Sequence, residues 1–231
     1  MSTKQTSENK IEVRGLTKEY RGEGGTVKVL DNLELLVEAG GLVSVEGASG
    51  VGKSTLLNIL GTLDRASSGS VQIAGRELTS FTESDTEYFR AHTLGFIFQH
   101  VHLLPDFTLE ENVMMPLLIQ RRSAALGQKE AREKLAMVGL ADRVTHYPNQ
   151  ISGGEMARAG VARALVGDKQ IILADEPTGN LDRANSENLA DLLWKLQGEL
   201  GFTLMIVTHD QGLAARVPVR YMLEAGILQR Q

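Results

Sequence analysis

A nine-residue stretch, Gly47-Ala48-Ser49-Gly50-Val51-Gly52-Lys53-Ser54-Thr55, follows directly on the apolar run Leu42-Val43-Ser44-Val45 and runs into Leu56-Leu57-Asn58-Ile59-Leu60. The order is strand, glycine-rich turn, helix, and the turn fits G-x-x-x-x-G-K-[ST]. Glycines let the backbone curl so that successive N–H groups face an anion, and no Cβ obstructs the approach. A helix beginning near Lys53 adds the positive end of its dipole. Lys53 then suits the β- and γ-phosphates of a nucleotide, and the Ser54 hydroxyl suits Mg²⁺, with Thr55 one residue further into the first turn. The stretch is therefore read as a phosphate-binding loop, which commits the chain to an α/β fold.

The flanking sequence carries the same reading. Ile11 to Tyr20 and Val27 to Glu38 alternate like strands around the flexible link Arg21-Gly22-Glu23-Gly24-Gly25, and predict an antiparallel β region ahead of the nucleotide core. Strands are expected at Ser68 to Gly75, Leu94 to Phe98, Ile171 to Ala174 and Thr203 to Val207, with a helix from about Asn185 to Leu200. Short apolar strands alternating with helices predict a mainly parallel sheet. From about 100 to 163 the spacing turns helical and predicts an inserted α-helical subdomain. Tyr221 to Leu223 and Ile227-Leu228 around Ala225-Gly226 predict a closing hairpin. Residues 1–10 read as a polar tail and 11–231 as one domain.

Composition narrows the partners. A net charge of −5 argues against a dedicated nucleic-acid binder, which carries a basic footprint. There is no cysteine, so disulfides and thiolate metal sites are excluded. The polar start lacks the apolar core of a secretory signal. Apolar stretches such as Val113 to Ile119 fall far short of the ~20 residues that span a bilayer, so a membrane role is expected only through a partner.

Asp175 and Glu176 end a buried apolar run, where α/β sheets place ligand sites. Asp175 suits Mg²⁺, and Glu176 suits a base that polarises water attacking the γ-phosphate. Ser152 and Glu155 have capping-box spacing, and Gly153 and Gly154 leave the helix start bare enough to approach a phosphate. His100 and His102 lack a third metal ligand nearby in sequence. Arg158 and Arg163 read as a solvated or ion-paired helix face.

The phosphate loop, Gln99 after a strand, Ser152-Gly153-Gly154, Asp175-Glu176 and His209 occur in an order and spacing that resembles the ATP-binding cassette (ABC) ATPases, over nearly the whole chain. That resemblance implies a head-to-tail homodimer burying ATP and Mg²⁺ between one subunit's phosphate loop and the other's signature, Ser152 to Glu155. It implies that Tyr20 stacks on adenine, that Gln99 senses Mg²⁺ and the attacking water, that His209 contacts the γ-phosphate, and that Gly179 to Asp182 crosses to the opposite subunit. Leu103 to Thr108, Glu111-Asn112-Val113 and Met115 to Ile119 are similar to the ATPases of lipoprotein-releasing systems. Pro177 to Asp182 is shared with macrolide-type exporters and cell-division cassettes, which keeps those functions as alternatives, along with non-transporting complexes that act on cell-wall enzymes. The family expectation is a peripheral ATPase on the cytoplasmic face of the bacterial inner membrane, working with integral membrane subunits. Met156-Ala157 and Gly160 depart from the common signature-helix pattern, and a glycine there costs roughly 1 kcal/mol relative to alanine.

Overall fold

The computed structural model describes residues 11–22 and 25–231. The expected polar tail 1–10, and Glu23 and Gly24 of the expected link, lie outside the described residues. In chain order the elements are β1 (Ile11–Gly22), β2 (Gly25–Val37), β3 (Leu42–Glu46), α1 (Lys53–Leu60), β4 (Ser68–Ile73), β5 (Arg76–Glu77), α2 (Glu83–Thr93), β6 (Leu94–Phe98), α3 (Leu109–Ile119), α4 (Ala124–Met137), α5 (Gly153–Leu165), β7 (Ile171–Asp175), α6 (Arg183–Leu200), β8 (Thr203–Thr208), α7 (Gln211–Ala214), β9 (Val219–Glu224) and β10 (Ile227–Arg230). They form two compact units: one runs to Arg90 and resumes at Phe202, and the other is Ala91–Gly201.

The first unit holds an antiparallel sheet in the order β2-β1-β4-β5, the β region expected from the alternation of Ile11 to Glu38. Ile11, Val13, Leu16, Val71 and Ile73 from its strands are almost wholly buried. A second sheet in this unit carries β10-β9-β3-β8, with β3 parallel to both β8 and β9 and the β9–β10 hairpin closing it antiparallel. All six residues of β8 are buried, which is why that strand reads as a continuous apolar run rather than an alternation. Leu56, Leu57 and Leu60 of α1 are fully buried.

The second unit pairs β6 with β7 in parallel, from Leu94↔Ile171 to Phe98↔Asp175. Its helical part is α3, α4 and α5, which pack on one another. Thr108 and Glu111 form a capping box at the start of α3. Asn112, 2% exposed, knits the preceding loop together: Nδ2 donates to the carbonyls of Leu104 (3.0 Å), Phe107 (2.9 Å) and Thr108 (3.0 Å), and Oδ1 accepts from Leu104 N–H (2.7 Å). The Leu103–Val113 motif is thus one hydrogen-bonded body. The helix α2 was not legible, because only Phe89 on it is buried and an eleven-residue polar helix leaves little apolar period to read.

Candidate functional site

In the first unit, β3 delivers the chain to the phosphate loop and α1 leaves it. Gly52 sits at φ 111°, and a Cβ there would stand 2.9 Å from Leu30 Cδ2 and 3.0 Å from Val29 Cγ1, so β2 presses directly on the loop. Only glycine satisfies both the backbone angle and the space. Because Gly52 has no side chain to cap α1, the first N–H groups of that helix have no side-chain acceptor at the cap position. Lys53 is 6% exposed, and its Nζ donates to the carbonyls of Gly47 (2.8 Å) and Ala48 (3.0 Å). Ala48, Ser49, Gly50 and Ser54 are exposed, and Val51 is half-buried. An uncapped helix start, a loop of backbone N–H groups and an ammonium held on loop carbonyls fit a polyphosphate, and Ser54, exposed, offers a hydroxyl of the hard-oxygen type that suits Mg²⁺.

Tyr20 belongs to the same unit. Its hydroxyl donates to Asp64 Oδ2 at 2.6 Å, and Lys18 Nζ lies 4.5 Å from its ring centroid. That hydrogen bond, together with burial, raises the phenol pKa. Asp64 is held below the usual carboxylate range: its desolvation is outweighed by hydrogen bonds from Lys18, Tyr20 and the Arg65 N–H. Neither Asp64 nor Lys18 is a residue that sequence reasoning selected, since each lies more than 40 positions from its partner across the fold. His209 emerges exposed after β8, next to Asp210, whose carboxylate caps α7 by accepting from Gly212 and Leu213 N–H.

In the second unit, Asp175 ends β7 and Glu176 follows at φ 45°, a left-handed backbone uncommon outside glycine. The Gly179 N–H closes a turn onto Glu176 C=O at 3.0 Å. Gln99, just past β6, packs on this loop: Asn180 Nδ2 donates to Gln99 C=O (3.0 Å), and Gln99 Nε2 reaches Asn180 Oδ1 (3.4 Å). A cleft of about 350 Å³ brings Gln99, Asn180, Gly153 and Met156 together. The structure therefore joins three motifs that are up to 81 positions apart in sequence.

The expected capping box at Ser152 and Glu155 is present. Ser152 Oγ accepts from Glu155 N–H (3.2 Å), and Glu155 Oε2 accepts from Ser152 N–H (2.9 Å) and its hydroxyl (2.8 Å). Those bonds, followed by Arg143, lower the Glu155 pKa to about 2. Gly153 is exposed with nothing within 4 Å of where a Cβ would sit, so the start of α5 is open to a ligand. The doubt attached to Gly160 has a packing answer: a Cβ there would stand 2.7 Å from Val101 Cγ1, so Val101 fills the space a larger residue would take. Arg163 corrects the sequence expectation of a solvated or ion-paired arginine. Its guanidinium donates to the carbonyls of Val101 and His102, and burial lowers its pKa. The rings of His100 and His102 lie 5.9 Å apart, and among the described residues no three His, Cys, Asp or Glu gather as metal ligands.

The ABC transporter family model matches residues 30–179. The lipoprotein-releasing system ATP-binding protein LolD of Alcanivorax borkumensis is 45% identical over 95% of this chain and 96% of its own length. The LolD of Geobacter metallireducens is 49% identical over 89% of this chain and 91% of its own length. Among solved structures, the dimeric bacterial ABC transporter cassette MJ0796 is 38% identical with a TM-score of 0.87, covering 95% of this chain and 97% of that one. The same cassette in a post-hydrolysis dimer bound to ADP and Pi aligns with a TM-score of 0.87 at 36% identity, covering 96% of this chain and 97% of that one. With a phosphate loop, a β7 carboxylate pair and an open signature helix in one α/β fold, and with these relatives along nearly its full length, the chain belongs to the ABC transporter family, in the group of LolD-like ATP-binding proteins.

Proposed function

We propose that this chain is the ATP-hydrolysing motor of an ABC membrane complex that releases lipoproteins from the bacterial inner membrane. The observation that carries the ATPase reading is the open start of α5, capped by Ser152 and Glu155 and unobstructed at Gly153. The lipoprotein-releasing relatives, at 45% and 49% identity, supply the cargo.

In this reading the residues from Gly47 to Thr55 bind the phosphates, and Lys53 exchanges two loop carbonyls for phosphate oxygens. Tyr20 receives the base. Mg²⁺ would be held by Ser54, Gln99 and Asp175 and would neutralise phosphate charge. Glu176 takes the proton of the attacking water, and His209 contacts the γ-phosphate. Ser152, Gly153, Gly154 and Glu155 complete the site of a second copy, so the working form is a homodimer, as the dimeric MJ0796 cassette supports. Membrane contact is through integral membrane subunits, with the chain peripheral on the cytoplasmic face. No helix of the described residues is long and apolar enough to cross a bilayer.

Docking is assigned to the segment from Gln99 to Ile119. Leu104 and Phe107 are 43% and 39% exposed there, whereas Val113 and Leu117 belong to the core. The test is reconstitution of the chain with its membrane subunits in vesicles carrying a lipoprotein. Lipoprotein release and stimulated ATPase activity are expected, and replacing Leu104 and Phe107 by glutamate should remove the stimulation while basal activity stays. ATP-dependent export of a small macrolide without lipoprotein release would move the chain to the exporter class.

A further inference from the structure

The phenol of Tyr20 is fastened at its hydroxyl, which donates to Asp64 Oδ2 at 2.6 Å. Asp64 lies just beyond the last turn of α1, and its N–H donates to the Asn58 carbonyl of that helix at 3.2 Å. The far end of the phosphate-loop helix thus grips the hydroxyl. The ring is fixed by a second contact. Lys18, two positions earlier on the same side of β1, places Nζ 4.5 Å from the ring centroid. Lys18 is itself 8% exposed and immobilised by Asp64 Oδ1 (2.6 Å) and the Arg65 carbonyl (2.8 Å). The ring nevertheless keeps Tyr20 43% exposed. An ammonium occupies one face, so an incoming ring has one face left.

We infer that Asp64 and Lys18 are positioning residues that turn Tyr20 into a one-faced platform for the purine of a nucleoside triphosphate, set at a fixed distance from the phosphate loop. The inference rests on the nucleotide reading above and deepens it. A free tyrosine would be ordered only when the base arrives, and that ordering would subtract from affinity. Here the ring is ordered beforehand, and its position follows α1, the same helix that positions Lys53 and Ser54. A cation on one face also bars a second stacking mode.

The competing account is that the bridge only anchors β1 to α1. The two accounts separate with a ligand that has phosphates and no base. Calorimetry with Mg²⁺ on the full chain would compare ATP with inorganic tripolyphosphate for Tyr20→Phe, Asp64→Asn, Lys18→Met and Tyr20→Ala, alongside thermal melting. Tyr20→Phe and Asp64→Asn are each expected to weaken ATP about three- to tenfold while tripolyphosphate stays within about twofold, because only the platform is released. The double variant should lose little more than either single one, since both break the same bridge. Equal losses for ATP and tripolyphosphate, or no loss for either, overturn the inference. Unchanged ATP affinity in Tyr20→Ala overturns instead the assignment of Tyr20 to the base. Should Asp64→Asn fold poorly, Tyr20→Phe breaks the same hydrogen bond and leaves the Lys18–Asp64 pair in place, so the comparison is still decisive.

Discussion

Glu176 stands just past the end of β7, in a left-handed backbone. Replacing it with glutamine keeps shape and removes basicity. ATP binding should persist while turnover falls by ~10²–10⁴-fold, the usual contribution of a positioned base. Single-turnover hydrolysis checks this, and a rate near the parent's would remove Glu176 from the proposed role. Residues like this one were legible because their chemistry is contiguous in the chain: an apolar strand and then two carboxylates, or a strand and then a glycine-rich loop with lysine. Asp64, Lys18 and Arg163 were not legible, because each works through a partner 44 to 62 positions distant and no local pattern announces the pairing. Arg163 shows the failure most plainly: helical spacing put it on a surface, and two backbone carbonyls drew it inward.

At the scale of elements, α5 carries two predictions. Alanine at Gly160 gains helix propensity of roughly 1 kcal/mol but must displace Val101, and overpacking of that kind costs typically ~1–3 kcal/mol. Gly160→Ala should therefore lower the melting temperature, and adding Val101→Ala should restore part of it; a stabilised single variant would show that the loop yields. The capping box sets a pH dependence. Glu155 has its folded pKa depressed from 4.5 to about 2, so its contribution is present above pH 4.5 and fades as the pH falls from there towards 2. The difference in melting temperature between the parent and Glu155→Gln should shrink across that window, and a difference constant from pH 5 to pH 2 would contradict the linkage. Strands were readable where burial on both faces gave unbroken apolar runs, as in β7 and β8, while α2 stayed hidden because its surface is mostly polar.

For the molecule as a whole, the proposed dimer has a strict complementation logic. Glu176→Gln with Mg-ATP should accumulate as a dimer in size-exclusion chromatography. Ser152→Arg should bind ATP yet fail to hydrolyse it, because a bulky cation closes the open end of α5. A heterodimer of the two variants gathers both defects in one site and leaves the other intact, so partial recovery of hydrolysis on mixing is expected, and no recovery in a mixture shown to contain the heterodimer would refute the shared site. The latch on Arg163 has a mechanical consequence. Val101 is wedged against Gly160, and the carbonyls of Val101 and His102 are pinned by the same helix one turn further on. The segment after Gln99 cannot be pulled without dragging α5, nor α5 tilted without drawing the segment behind it. Together they make a lever with arginine as its pin, and a push delivered at one arm reaches the other as displacement.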